Sequence, residues 1–195
     1  MTDIIQKDFE NNKNERIIIV NDKDEYERID IRKNMRLNNW WHRTTLIFVF
    51  TLISNEYFLY VHKRSKLKDY CPSYYSLGFG GIISENENYV QNAIKELQEE
   101  SGITKNEEQL YELGLYKCDV KCTKCFIMAY VTFISPYFQL IPQPSEVDFI
   151  EKIPLKDLDQ FIQKEKVTMT SLMVFNNLKN KLTKEALDEY SKIIN

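Results

Sequence analysis

Apolar positions along this chain alternate between two spacings, and each spacing predicts a different element. Arg16–Val20 is an unbroken β-branched run, followed by the polar turn Asn21-Asp22-Lys23-Asp24 and a second run at Tyr26–Ile31. Run, turn and run read as a hairpin. Lys33–Asn39 is polar and reads as a helical turn leading to Trp40-Trp41-His42-Arg43. Thr44–Ile53 and Tyr57–Lys63 form the clearest hairpin, hinged at Ser54-Asn55-Glu56. The spacing then changes. Val90, Ala93, Ile94 and Leu97 recur at i, i+3, i+4 and i+7, which predicts a helix over Asn88–Ser101 with Gly102 as its left-handed stop. Strands follow at Leu110–Tyr116, Phe126–Ile134 and, after a Pro-containing loop, Val147–Ile153. From Leu155 the chain reads as helical: one segment to Lys164, another over Thr170–Leu182, and the tail Thr183–Ile194. Strands with a few helices packed on them make an α/β sandwich, α+β in the stricter sense. Residues 15–195 read as one domain, preceded by a polar, flexible segment at 1–14.

Composition narrows the class. A chain of 195 residues with 43% hydrophobic and 28% charged residues suits one sizeable core. A net charge of −3 leaves no footprint of nucleic-acid binding. The longest apolar run, Leu46–Ile53, is too short for a membrane span, and the first twenty residues lack the apolar core of a secretory signal. A cytoplasmic protein with no membrane or nucleic-acid partner is expected. Cys118, Cys122 and Cys125 cluster while Cys71 stands apart; without a second Cys-x-x-Cys pair, reduced thiols are a better reading than zinc.

The predicted helix carries the candidate chemistry. Glu96, Glu99 and Glu100 fall at i, i+3 and i+4, on one side of the rod. Like charges at that spacing repel by a few tenths of a kcal/mol, and a glycine turn (Gly78, Gly80, Gly81) precedes them. A solvated acidic face is the bland alternative. Hard divalent cations take oxygen ligands, and the combination of glycine turn, carboxylates and Gly102-Ile103 favours a metal site.

Gly81, five residues, Glu87, seven residues, then Lys95-Glu96-Leu97-Gln98-Glu99-Glu100-Ser101-Gly102-Ile103 resembles the Nudix box. One fixed position departs: Lys95 stands where that family has arginine. The resemblance implies a mixed sheet sandwiched by helices, with an N-terminal hairpin and a helical C-terminus. It implies a magnesium-dependent hydrolase, with manganese as an alternative, acting on a diphosphate linkage of a small molecule such as a nucleoside diphosphate derivative. Glu96, Glu99, Glu100 and the carbonyl of Gly80 would be metal ligands. Glu96, Glu99 or Glu146 would be the base, Arg64 and Lys68 would grip phosphate, and Gly81, Glu87, Lys95 and Gly102 would shape the box. Lysine lacks arginine's planar fork, so a binding module that has lost catalysis is the alternative.

The likeness extends from about Glu15 to Lys181. His42-Arg43-Thr44, Arg64-Ser65-x-x-Lys68 and Pro72-x-Tyr74 before Gly80-Gly81 are similar to the group built around isopentenyl diphosphate isomerase. The isomerases need cysteine where Gly80 stands and histidine where Ile82 stands, so the hydrolase-like branch of that group is preferred to the isomerase itself.

Overall fold

A computed structural model describes residues 14–194; the segment expected to be flexible lies, apart from Asn14, outside the described residues. The elements run β1 (Arg16–Val20), β2 (Tyr26–Ile31), α1 (Arg32–Asn38), β3 (His42–Ile53), β4 (Glu56–Arg64), β5 (Tyr75–Ser76), α2 (Tyr89–Ser101), β6 (Tyr111–Val120), β7 (Thr123–Phe133), β8 (Val147–Pro154), α3 (Leu158–Lys164), α4 (Met169–Leu178) and α5 (Lys184–Ile194).

Strand β3 is the spine of a mixed sheet. Its residues alternate between two cores: Phe48 and Phe50 face the C-terminal helices with Val174, Phe175 and Leu187, while Ile47 and Val49 face α2 with Ala93 and Leu97. A strand buried on both faces needs an apolar residue at every position, which is why Leu46–Phe50 shows no polar alternation. Helices on both faces of the sheet make the expected sandwich.

The β3–β4 hairpin differs from its sequence reading. The two strands pair only from Val49–Ile53 to Tyr60–Glu56. Towards His42 they separate, and the glycine turn runs along the freed edge of β3. Ile47 and Phe79 exchange backbone hydrogen bonds at 2.6 and 3.0 Å, and Thr45 N–H donates to the Gly81 carbonyl at 3.0 Å. The released half of β4 pairs with β5 on one edge and β8 on the other. On its far side β3 runs parallel to β7 from His42–Cys125 to Phe50–Phe133. The splay holds the glycine turn against the sheet, directly beneath α2.

Candidate active site

Helix α2 is placed by its own ends. Asn88 accepts from the Gln91 N–H at 2.9 Å while the Gln91 side chain accepts from the Asn88 N–H at 3.0 Å, a reciprocal cap. Gly102, at φ 75°, ends the helix. Between these ends the three glutamates sit at graded depth. Glu100 is fully buried, Glu96 half-buried and Glu99 exposed. Glu100 Oε2 accepts from the Gly80 N–H at 2.9 Å; Oε1, also buried, meets no hydrogen-bond donor. Gly81 is fixed by space: a Cβ there would lie 2.3 Å from the Glu96 carboxyl group. Gly80 is fixed by space and conformation together, with φ 149° and the Thr45 carbonyl oxygen 2.2 Å from where a Cβ would stand.

Burial and crowding raise the carboxyl groups. Burial, then the neighbouring Glu100, pushes the Glu96 carboxyl up to about 8, with Lys68 pulling the other way. Burial also raises Glu100, against Lys68, Arg64 and the Gly80 N–H, and raises Glu99.

Lys95 Nζ lies 2.9 Å from Glu87 Oε1. Glu87 does not depend on it alone: its other oxygen accepts from Asn92 Nδ2 at 2.9 Å and from the Ser84 N–H at 3.2 Å. Asn92, fully buried, also donates to the Ile82 carbonyl at 3.0 Å and accepts from the Thr45 hydroxyl at 2.7 Å. The sequence reading missed Asn92; the signal was an amide inside the apolar stripe beside Ala93.

Across from α2, Arg64 ends β4 and donates from Nε to the Tyr70 carbonyl at 3.0 Å. Lys68 makes an ion pair with Glu146, which the Ser65 N–H to Glu146 carbonyl bond (2.9 Å) keeps beside β4. Burial, then Arg64 and Arg32, draws the Lys68 ammonium down to about 8. Gly80, Gly81, Lys95, Glu96, Glu99, Arg64, Lys68 and Glu146 all line one cavity of about 120 Å³. Glu100 lies behind its wall, while Glu87 and Gly102 stand outside it. Arg32 and Arg36 of α1 also line the cavity; the sequence reading had taken that stretch only as a polar turn.

As they stand, the glutamates do not enclose a cation: among the described residues no three His, Cys, Asp or Glu side chains converge closely enough to hold one. The donor chemistry nevertheless fits a hard divalent ion. All donors are oxygens, Glu100 Oε1 lacks any hydrogen-bond partner, and burial followed by the charge of Glu100 raises Glu96, a shift that a cation would oppose.

The remaining candidates are structural. His42 is buried, Nδ1 lying 3.0 Å from the Trp40 carbonyl oxygen, and burial draws its pKa down to about 3. Trp41 packs on Phe126 and Tyr75 on Phe161. All four cysteines are free thiols, and Cys118 faces Cys125 across the β6–β7 pair.

A family model described as NUDIX domain matches residues 41–172. An uncharacterized Nudix hydrolase of Clostridium acetobutylicum is 31% identical over 97 residues, 48% of this chain and 47% of that protein. Another, from Yersinia pestis, is 28% identical over 117 residues, 60% of each chain. The chain thus spans about half the length of the curated relatives it matches. Among solved structures, DR0079 from Deinococcus radiodurans superposes with a TM-score of 0.65 at 20% identity, covering 79% of this chain and 93% of that one. The NUDIX domain of Shewanella oneidensis NrtR, complexed with ADP ribose, gives 0.60 at 17%, covering 79% and 100%. At such identities the likeness is one of fold.

Proposed function

The chain belongs to the Nudix domain family, and we propose that it is a divalent-metal-dependent hydrolase that cleaves a diphosphate linkage in a small molecule, a nucleoside diphosphate derivative. The observation that carries this reading is the carboxylate cluster of α2, Glu96, Glu99 and Glu100, set against the glycine turn, with cationic side chains across the cavity. Glu96, Glu99, Glu100 and the Gly80 carbonyl would hold magnesium or manganese. A cation held there would make a water more acidic and offset the charge on phosphate oxygens. Glu96, Glu99 or Glu146, in its ionised form, accepts the proton of the attacking water as the water oxygen bonds to phosphorus and the bridging P–O bond breaks. Arg64 and Lys68 draw negative oxygens into the cavity and hold them for in-line attack.

Two observations weigh against the alternatives. Asn92 and the Ser84 N–H orient Glu87 whether residue 95 is arginine or lysine, so Lys95 does not by itself imply a dead site. Gly80 has no side chain and no room for one, and Ile82 is a buried apolar residue, so the isomerase's cysteine and histidine have no counterparts.

The test is a substrate panel headed by ADP-ribose, the ligand in the Shewanella structure, with nucleoside di- and triphosphates, assayed for monophosphate or phosphate release in magnesium and in chelator. Magnesium-dependent turnover of at least one compound is expected. A folded protein that turns over none of them, in magnesium or manganese, contradicts the reading.

A further inference from the structure

The wall of the cavity opposite α2 gathers more positive charge than a structural tie needs. Arg32 already satisfies Asp69 in a two-pronged pair, Nε to Oδ2 at 3.3 Å and Nη2 to Oδ1 at 3.2 Å, and its Nη1 lies 3.2 Å from Glu15 Oε2. That pair alone fastens α1 to the loop after β4. Arg36 nevertheless leans on the same Asp69 oxygen, through Nε at 3.3 Å. Arg64 is anchored through Nε as well, to the Tyr70 carbonyl. The guanidinium groups of Arg36 and Arg64 lie 5.1 and 5.9 Å from the centre of the Tyr70 ring, so both flank one aromatic plate. Among the described residues neither donates through its Nη nitrogens to any protein acceptor. Both line the cavity that Glu96 and Glu99 line.

Burial draws Arg36 and Arg64 down; Asp69, and at Arg64 also Glu100, offset part of this, while the charge of Arg32 adds to it, and Arg32 itself is held up by Asp69 and Glu15. Like cations brought together in a partly dry cavity cost stability unless an anion joins them. Two unfilled guanidinium forks side by side offer the donor geometry that oxyanions accept. The charges of Glu100 and Asp69 favour the Arg64 guanidinium and that of Arg32 opposes it.

We propose that Arg36, with Arg64 as its shared wall and with Arg32 and Asp69 positioning it, forms an oxyanion subsite distinct from the carboxylate helix. Resting on the hydrolase reading, the substrate then carries an anionic group beyond the diphosphate unit that is cleaved, as a nucleoside triphosphate does and ADP-ribose does not.

The subsite is tested without turnover. Inorganic phosphate and acetate are titrated calorimetrically, in chelator, into the wild type, Arg36→Gln, Arg36→Lys and Glu99→Gln, with a thermal melt of each to establish folding. Saturable binding of at least one anion is expected in the wild type and in Glu99→Gln, weakened about tenfold or more in Arg36→Gln and to a lesser degree in Arg36→Lys, which keeps charge but loses the fork. Tighter phosphate than acetate assigns a phosphoryl group; the reverse assigns a carboxylate. Should Arg36→Gln not fold, Arg36→Lys decides. In steady state, Arg36→Gln should raise KM for nucleoside triphosphates more than for ADP-ribose. Absence of saturable binding to the wild type, or wild-type binding by the folded Arg36 variants, overturns the subsite. If anions bind and Arg36→Gln loses them while no diphosphate compound is hydrolysed, the subsite stands and the hydrolase reading falls.

Discussion

Gly80 and Gly81 are adjacent glycines required for different reasons, and substitution separates the two. At Gly81 the three atoms nearest to an added Cβ all belong to the Glu96 carboxyl group, the far end of a flexible side chain that can swing aside. Gly81→Ala should therefore melt within about 1 kcal/mol of the wild type yet lose on the order of tenfold to a hundredfold in turnover, because Glu96 is displaced from its place at the cavity. At Gly80 the added Cβ would meet the Thr45 backbone, at a positive φ. Gly80→Ala should cost about 2 kcal/mol or more, visible in denaturant unfolding without any substrate. Equal stability of the two variants would mean that the glycine turn does not sit against β3 as described.

Helix α2 was readable because everything that defines it is local. The apolar stripe, the Gly102 stop and the i, i+3, i+4 carboxylates lie within one short stretch, with Glu87 just before it. What the sequence did not reveal depends on contacts between distant segments. The splay of β3 from β4 goes with the glycine turn taking the edge of β3, and the parallel β3–β7 pairing on the other edge joins strands far apart in the chain. Arg32 and Arg36 gain meaning only because Asp69 folds back beneath them. Asn92 lies between these cases, an amide in an apolar stripe whose partners Thr45 and Ile82 come from elsewhere. Its role changes what Lys95 is expected to do. Asn92→Ala strands the buried Thr45 hydroxyl and the Ile82 carbonyl and should cost about 2–3 kcal/mol. Lys95→Ala removes a pair whose lysine side chain is 39% exposed and should cost about 0.5 kcal/mol. Chemical denaturation of both variants checks the order; a larger loss for Lys95→Ala would make the ion pair the main support of Glu87.

Over the molecule as a whole, opposing buried charges in one cavity imply a distinctive pH profile for the metal-free protein. His42, drawn from 6.5 to about 3, binds fewer protons folded than unfolded, so stability rises with pH up to about 6.5. Glu96, pushed from 4.5 to about 8, binds more protons folded than unfolded. Its contribution is fully present below 4.5 and is lost as pH rises towards 8. Lys68, drawn from 10.5 to about 8, binds fewer protons folded, so stability recovers above 8. From these groups, thermal melts in chelator should therefore stay level between about pH 4.5 and 6.5, where His42 and Glu96 oppose each other, fall to a minimum near 8 and turn upward above it. Magnesium should flatten the fall between 6.5 and 8 by replacing the proton on the glutamates. A flat profile in chelator would mean that Glu96 is not buried among like charges.

Metal binding at α2 is the point on which the functional account turns, and manganese titration followed calorimetrically measures it without knowledge of the substrate. The wild type should bind manganese saturably, with proton release that is greatest near pH 6.5, where the cation displaces the proton of Glu96, and falls towards pH 8 as Glu96 gives up that proton without it. Glu99→Gln and Glu100→Gln, which exchange an ionised oxygen for an amide at constant volume, should fold normally and bind at least about tenfold more weakly. No saturable binding by the wild type, or unchanged binding by both variants, would contradict the account.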